Sequence, residues 1–306
     1  MPDANSRRRF LLGRSQASAD DWLTFLAHLR RGCEGDVKLL SDQRARLVPK
    51  RLDDVFKARS LCLAHGVCLA LDGLALPPSD QARRVLWVEA GAAWGSLMPL
   101  GETDCWRVQA GCPIEGMQAA GLIGHQAMDQ AKNLAQWFAC VGRYPMDLNT
   151  LGLLSVEWLF ADGTVEVLGT FGCQDSQPLR SLRAQQTVPK LFESVMQPAV
   201  EQALAAKQWP WVFRVDALAN TAQPNLAHVV VGHGGALGWL IAATFDKRVV
   251  VESLAIPVTP SAVSSVANLP APERPTPGLP PPSLDADVKQ IMDPEAIFLS
   301  VAPQKG

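Results

Sequence analysis

Ala110-Gly111-Cys112-Pro113-Ile114-Glu115-Gly116-Met117-Gln118-Ala119-Ala120-Gly121-Leu122 is a run of small residues punctuated by glycine. Such a backbone can approach another surface closely, and free amides in a loop of this kind can cradle a diphosphate without a cationic side chain. A tight turn followed by a closely packed helix leaves the same trace. The stretch therefore takes its meaning from a second one, Asn220-Thr221-Ala222-Gln223-Pro224-Asn225 followed by Leu226 to Ile241. There an apolar strand over Ala227 to Gly232 is expected to enter a loop at Gly234, Gly235 and Gly238, and a long strand over Leu240 to Val251 to leave it.

Working outward, Asp20 to Arg31 reads as an amphipathic helix with Trp22, Phe25, Leu26 and Leu29 at helical spacing. Arg46 to Val48 is a short strand, Lys50 to His65 a helix, and Gly66 to Leu71 a strand ended by the turn Asp72-Gly73. Val85 to Glu89 reads as a buried strand and Ala93 to Leu100 as a short helix. Leu151 to Phe160 and Thr164 to Leu168 form a hairpin about Ala161-Asp162-Gly163. Ser181 to Lys207 is helical, with Pro198 as a candidate interruption, and Asp285 to Met292 is a short helix that stops at Asp293-Pro294. This order gives an α+β pattern rather than a regular doubly wound one.

The chain has 306 residues, enough to bury a sizeable core, and 48% hydrophobic against 19% charged residues argues for a globular protein. A net charge of −2 gives no electrostatic reason to expect nucleic acid or an anionic membrane. Seven scattered cysteines form no CxxC pair, so they read as buried thiols in a reducing compartment rather than a zinc site. Ser6-Arg7-Arg8-Arg9-Phe10-Leu11-Leu12 looks like a twin-arginine signal but lacks the following apolar stretch, so a basic arm and a cytoplasmic protein are expected. No apolar run reaches transmembrane length.

Taken together, the segments resemble FAD-binding proteins of the vanillyl-alcohol oxidase/PCMH type, and among them the FAD-binding subunit of bacterial glycolate oxidase and D-lactate dehydrogenases. Val88 to Leu97 resembles the family's element before the flavin loop, and Cys112 to Gly121 resembles the loop itself, "ATIGGMVA..G". Leu151 to Leu168 resembles the following hairpin, Val231 to Ile241 the "VGSEGTLGIIT" segment, Asn220-Thr221-Ala222 the "KNTAGY" element, and Val288 to Phe298 the closing "KQALDPKGILNP". The likeness spans about Val48 to Val251 and resumes near Asp285. It implies FAD held by Gly73, by Gly111, Cys112, Pro113, Ile114, Gly116, Met117, Ala120 and Gly121, by Asn220 and Thr221, and by Gly232, His233, Gly235, Gly238 and Ile241.

Expected domains are a basic arm at 1–19 and a two-subdomain FAD-binding unit at 20–255, divided at about 45–100 and 101–255. A proline-rich linker or wrapping arm follows at 256–283, then a closing segment at 284–306. The family's substrate cap is missing from this plan. Departures bear on function: Asp72-Gly73-Leu74-Ala75 replaces a "GGGTS" phosphate loop, and Glu115 puts a carboxylate beside the expected diphosphate. The resemblance thus implies an FAD-bearing subunit oxidising a 2-hydroxy acid such as glycolate or lactate with a larger partner chain, or else a flavin-poor scaffold of the same fold. Catalytic residues are not evident, and no metal is implied. His125 is read as a surface or core histidine in preference to a flavin attachment point, His65 as a helix-terminal residue, and His233 as facing any cofactor. Neither a nucleophile elbow nor a P-loop is present.

Overall fold

A computed structural model describes residues 19–74, 83–123, 131–141, 146–172, 178–219, 224–249 and 283–299. Helix α1 (Ala19–Gly32) buries Trp22, Phe25, Leu26 and Leu29, the stripe its spacing predicts. Helix α2 (Leu52–His65) is fixed at its start by Asp54, whose carboxylate accepts from the N–H groups of Lys50 at 2.9 Å and Glu34 at 2.8 Å. It ends at Gly66, where φ of 63° places the chain in the left-handed region.

Strands β1 (Asp36–Ser41), β2 (Arg44–Val48), β3 (Cys68–Leu71) and β4 (Val85–Val88) form one sheet in the order β1-β2-β4-β3. β1 and β2 are an antiparallel hairpin, whereas β2 and β3 both run parallel to β4. β1 had no counterpart in the sequence reading: it is an edge strand with nearly every residue exposed, so no alternation marks it.

The second sheet is antiparallel, in the order β5-β6-β9-β7-β8, with β5 (Leu97–Pro99), β6 (Cys105–Gln109), β7 (Leu153–Leu159), β8 (Val165–Gly169) and β9 (Trp239–Asp246). Two local expectations fail. Ala93 to Leu100 is not a helix: a 3₁₀ turn at Ala92–Trp94 gives way to β5, because Gly95 and Pro99 do not propagate a helix and Leu97 pairs with Val108. Ala227 to Gly232 is not a strand: Asn225 caps a single helical turn, α7 (Leu226–Val229), by accepting the Ala227 N–H at 2.9 Å. Asn225 Nδ2 donates to the Leu153 and Leu154 carbonyls, both at 3.1 Å, so the turn is tied to β7. The long strand expected from Leu240 begins at Trp239 and ends at Asp246.

Short helices α3 (Ile114–Ala119) and α4 (Leu134–Cys140) flank the second sheet. The helical stretch after Ser181 divides at Pro198 into α5 (Leu182–Val195) and α6 (Pro198–Ala205). Helix α8 (Ser283–Met292) brings the closing segment back across the molecule. Asp285 accepts from the Val212 and Phe213 N–H groups, Arg183 donates to the Ile291 carbonyl at 2.8 Å, and Phe298 forms a parallel bridge to Leu69 on the free edge of β3. Arg59 of α2, buried, donates through Nε to the Ala161 carbonyl at 2.6 Å, joining the first layer to the β7–β8 turn.

Candidate functional site

Three stretches distant in sequence converge behind the end of β3: the turn at 71–74, the start of α4, and the glycine turn at 232–238. Asn133 caps α4 by accepting the Gln136 N–H at 3.0 Å. The Gln136 amide so placed donates to the Asp72 carbonyl at 2.8 Å and accepts the Lys132 N–H at 2.9 Å. It lies against Gly73 (φ 88°), where a methyl group would overlap it. Gly235 (φ 79°) sits beneath Leu74, whose Cδ1 would stand 3.2 Å from an added Cβ. Gly238 faces the Trp158 indole and Gly232 the Val141 carbonyl, each too closely for any side chain. These glycines are small because the chain's own groups press on them.

His233 is 3% exposed, with its ring edge-on to Trp158 at a centroid distance of 4.9 Å. Nδ1 accepts the Gly235 N–H at 3.0 Å, which puts the neutral ring's proton on Nε2. Burial, reinforced by the Lys289 charge, pushes its pKa down to about 3. Around it Leu71, Ala135, Gly235, Gly238, Trp239 and Leu240 enclose a cavity of about 10 Å³, room for one water.

The first segment lies alongside rather than opposite. Ala110 bonds through its N–H to the Ile241 carbonyl and through its carbonyl to the Ala135 N–H. A Cβ at Gly111 would collide with the Gly91 carbonyl, whereas one at Gly116 would meet nothing nearer than Cys112 Sγ at 3.9 Å. Among the described residues, then, nothing from the 232–241 turn touches the Cβ position of Gly116. Gly121 (φ 71°) adjoins the Lys247 stem, Ile114 and Met117 are core residues, Pro113 is exposed, and Ala120 is half-buried. Asn220, Thr221 and His125 lie outside the described residues, while His65 is the last residue of α2.

Whether these segments fit a dinucleotide is decided by their amides. Gly111 N–H donates to the Trp94 carbonyl, Cys112 to Gln109, Ile114 to Lys132, and Gly116 and Met117 both to Pro113. In the second turn Gly232 donates to Phe138, Gly234 to Ala139 and Ala236 to the His233 carbonyl, and Gly235 to the His233 ring. A diphosphate is held by unpaired N–H groups. Nine of the amides expected in the cradle, those of Gly111, Cys112, Ile114, Gly116, Met117, Gly232, Gly234, Gly235 and Ala236, are thus already bonded within the protein. Those nine amides are therefore not free to hold a diphosphate in this structure.

Sequence reading missed three residues that organise this region: Gln136, Lys289 and Asp293. Lys289 Nζ donates to the Ala236 carbonyl of the glycine turn at 2.5 Å, to the Phe298 carbonyl at 2.8 Å and to Asp293 at 2.5 Å. Burial lowers the Lys289 pKa, with Asp293 opposing the shift. The available signal was the i,i+4 spacing of Lys289 and Asp293 just before Pro294.

Because Gly116 lies inside α3 with open space at its Cβ, Gly116→Ala should stabilise the fold by about 0.5–1 kcal/mol. Urea unfolding would show it as a higher midpoint at unchanged slope; a lower midpoint would mean that the glycine is needed for close approach.

No family model matches the chain, and no curated protein matches it. Among solved structures it is similar to wild-type BBE-like 1 of Physcomitrella patens, at 14% identity over 72% of this chain and 44% of that one, with a TM-score of 0.42. It is also similar to a xylooligosaccharide oxidase from Myceliophthora thermophila C1 in complex with xylobiose, at 12% identity over 72% and 42% of the two chains, with a TM-score of 0.42. A chitooligosaccharide oxidase gives the same values. The chain spans less than half the length of each of these structures.

Proposed function

We propose that this chain is a non-catalytic, flavin-poor scaffold subunit of an oxidoreductase assembly, a flavoprotein-type fold whose cofactor cradle has closed on itself. One observation carries the reading: the backbone donors of Gly111, Cys112, Ile114, Gly116 and Met117 in the first glycine segment, and of Gly232, Gly234, Gly235 and Ala236 in the second, end on the protein's own acceptors. His233 supports it, since a ring held neutral, buried and bonded to its own turn is a packing element. The second reading, an FAD-bearing subunit that oxidises a 2-hydroxy acid with a larger partner chain, draws support from the convergence of the turns at Gly73 and Gly235 behind β3. In either case the partner is the larger subunit, and in the first it supplies the chemistry.

Colour separates the two. The purified full chain should be colourless, should release no flavin on denaturation, and should take up none after incubation with FAD and desalting. Near-stoichiometric flavin in either sample would overturn the scaffold reading in favour of the second.

A further inference from the structure

Away from the glycine turns, α1 and α2 meet at a pair of histidines, His28 exposed and His65 half-buried. His28 Nδ1 and His65 Nε2 stand 3.2 Å apart, their ring centroids 5.3 Å apart and the ring planes crossed at 63°. Phe25 packs edge-on against His65 at 5.7 Å, giving the pair an apolar floor. Asp21, Phe25 and His28, spaced i, i+4 and i+7, share one face of α1. The Asp21 charge reaches His65 and adds negative potential there.

The separation of the two nitrogens matters. Two imidazoles bound to one tetrahedral ion at about 2.05 Å place their nitrogens about 3.3 Å apart. The pair has about that spacing as a hydrogen bond between the rings, and the exposed His28 can turn its lone pair toward a point shared with the half-buried His65 at little rotameric cost. Imidazole nitrogen suits zinc, copper, nickel and cobalt rather than magnesium or calcium.

We propose that His28 and His65 form a two-histidine site for a divalent transition-metal ion of the zinc type, with water completing its coordination, and that the ion clamps α1 to α2. Among the described residues no group of three ligating side chains surrounds an ion, so the site is two-point and reversible. This clamp is independent of whether the chain carries flavin.

The test uses the full chain, stripped with EDTA, then titrated separately with zinc chloride and cobalt chloride. Zinc at a hundredfold excess over its Kd should raise Tm by about 5 °C. Cobalt should give weak d–d absorption without the thiolate charge-transfer band that binding at Cys33 or Cys62 would produce. His28→Gln and His65→Gln should each abolish both responses and leave the metal-free Tm within a degree or two. Absence of a wild-type shift, a thiolate band, or a zinc response that survives both substitutions would overturn the site. The wild-type cobalt spectrum decides the matter even if a variant fails to fold.

Discussion

Asp293→Ala should lower the unfolding free energy by about 3–5 kcal/mol, the range for removing one partner of a buried ion pair. The Asp293 side chain is fully buried and that of Lys289 is 17% exposed. Besides Lys289, the carboxylate accepts the Ile297 N–H at 3.0 Å and the Phe298 N–H at 2.9 Å. Truncation therefore leaves a buried ammonium with two carbonyls for company and two amides with no acceptor. It also releases the segment that bridges to Leu69, so the end of the chain should become sensitive to protease before the rest. The double substitution Lys289→Met with Asp293→Leu removes both charges and should cost less than the two singles summed. Urea unfolding of the three variants measures this directly. A loss below about 1 kcal/mol for Asp293→Ala would show that the pair is solvated and that the segment is not held by it.

The elements legible in the sequence are those whose burial follows a period. Trp22, Phe25, Leu26 and Leu29 announce α1, and the turn at Ala161-Asp162-Gly163 announces the β7–β8 hairpin. Those misread had a local signal overruled by a contact from elsewhere. Ala227 to Gly232, mostly apolar apart from His228, suits a strand, yet the Asn225 cap and its bonds to β7 turn its start into a helical turn. Ala93 to Leu100 lacks a signal for the partner strand that draws Leu97 to Pro99 into the sheet. The candidate site shows the same division. Spacing of Gly73, Gly235 and Gly238 marks where something approaches the backbone closely, but a glycine is silent about what approaches. The occupants are Gln136, Leu74 and Trp158, side chains from segments far along the chain. Nothing in a single sequence ties Gln136 to Gly73 until the cap at Asn133 sets the angle of α4.

Acid should unfold this protein early, because two histidines are buried in the neutral form. His228 is 5% exposed, and its Nε2 finds no partner among the described residues. Burial pushes its pKa down to about 4; a hydrogen bond to the Leu153 backbone and the charges of Asp147 and Asp216 oppose the shift, while Arg214 adds to it. His233, near Lys289, is pushed down to about 3. In the unfolded chain both rings take up a proton near pH 6.5. Between that value and the folded values the unfolded state binds more protons, so stability falls as the pH falls. Each ring contributes about 1.4 kcal/mol per pH unit inside that window, and by pH 5 the two together cost about 4 kcal/mol relative to neutral pH. That is a large share of the stability of an ordinary domain. Urea unfolding at a series of pH values should therefore show a free energy that drops steeply from about pH 6.5 to pH 4.5, before carboxylate protonation contributes. His228→Asn keeps a donor for the Leu153 backbone and His233→Asn keeps an acceptor for the Gly235 N–H. The double variant should start from a lower stability at pH 7 and lose much less on acidification. An unchanged slope in that variant would mean that the acid sensitivity arises elsewhere, and that these two rings are not the neutral packing elements their surroundings make them.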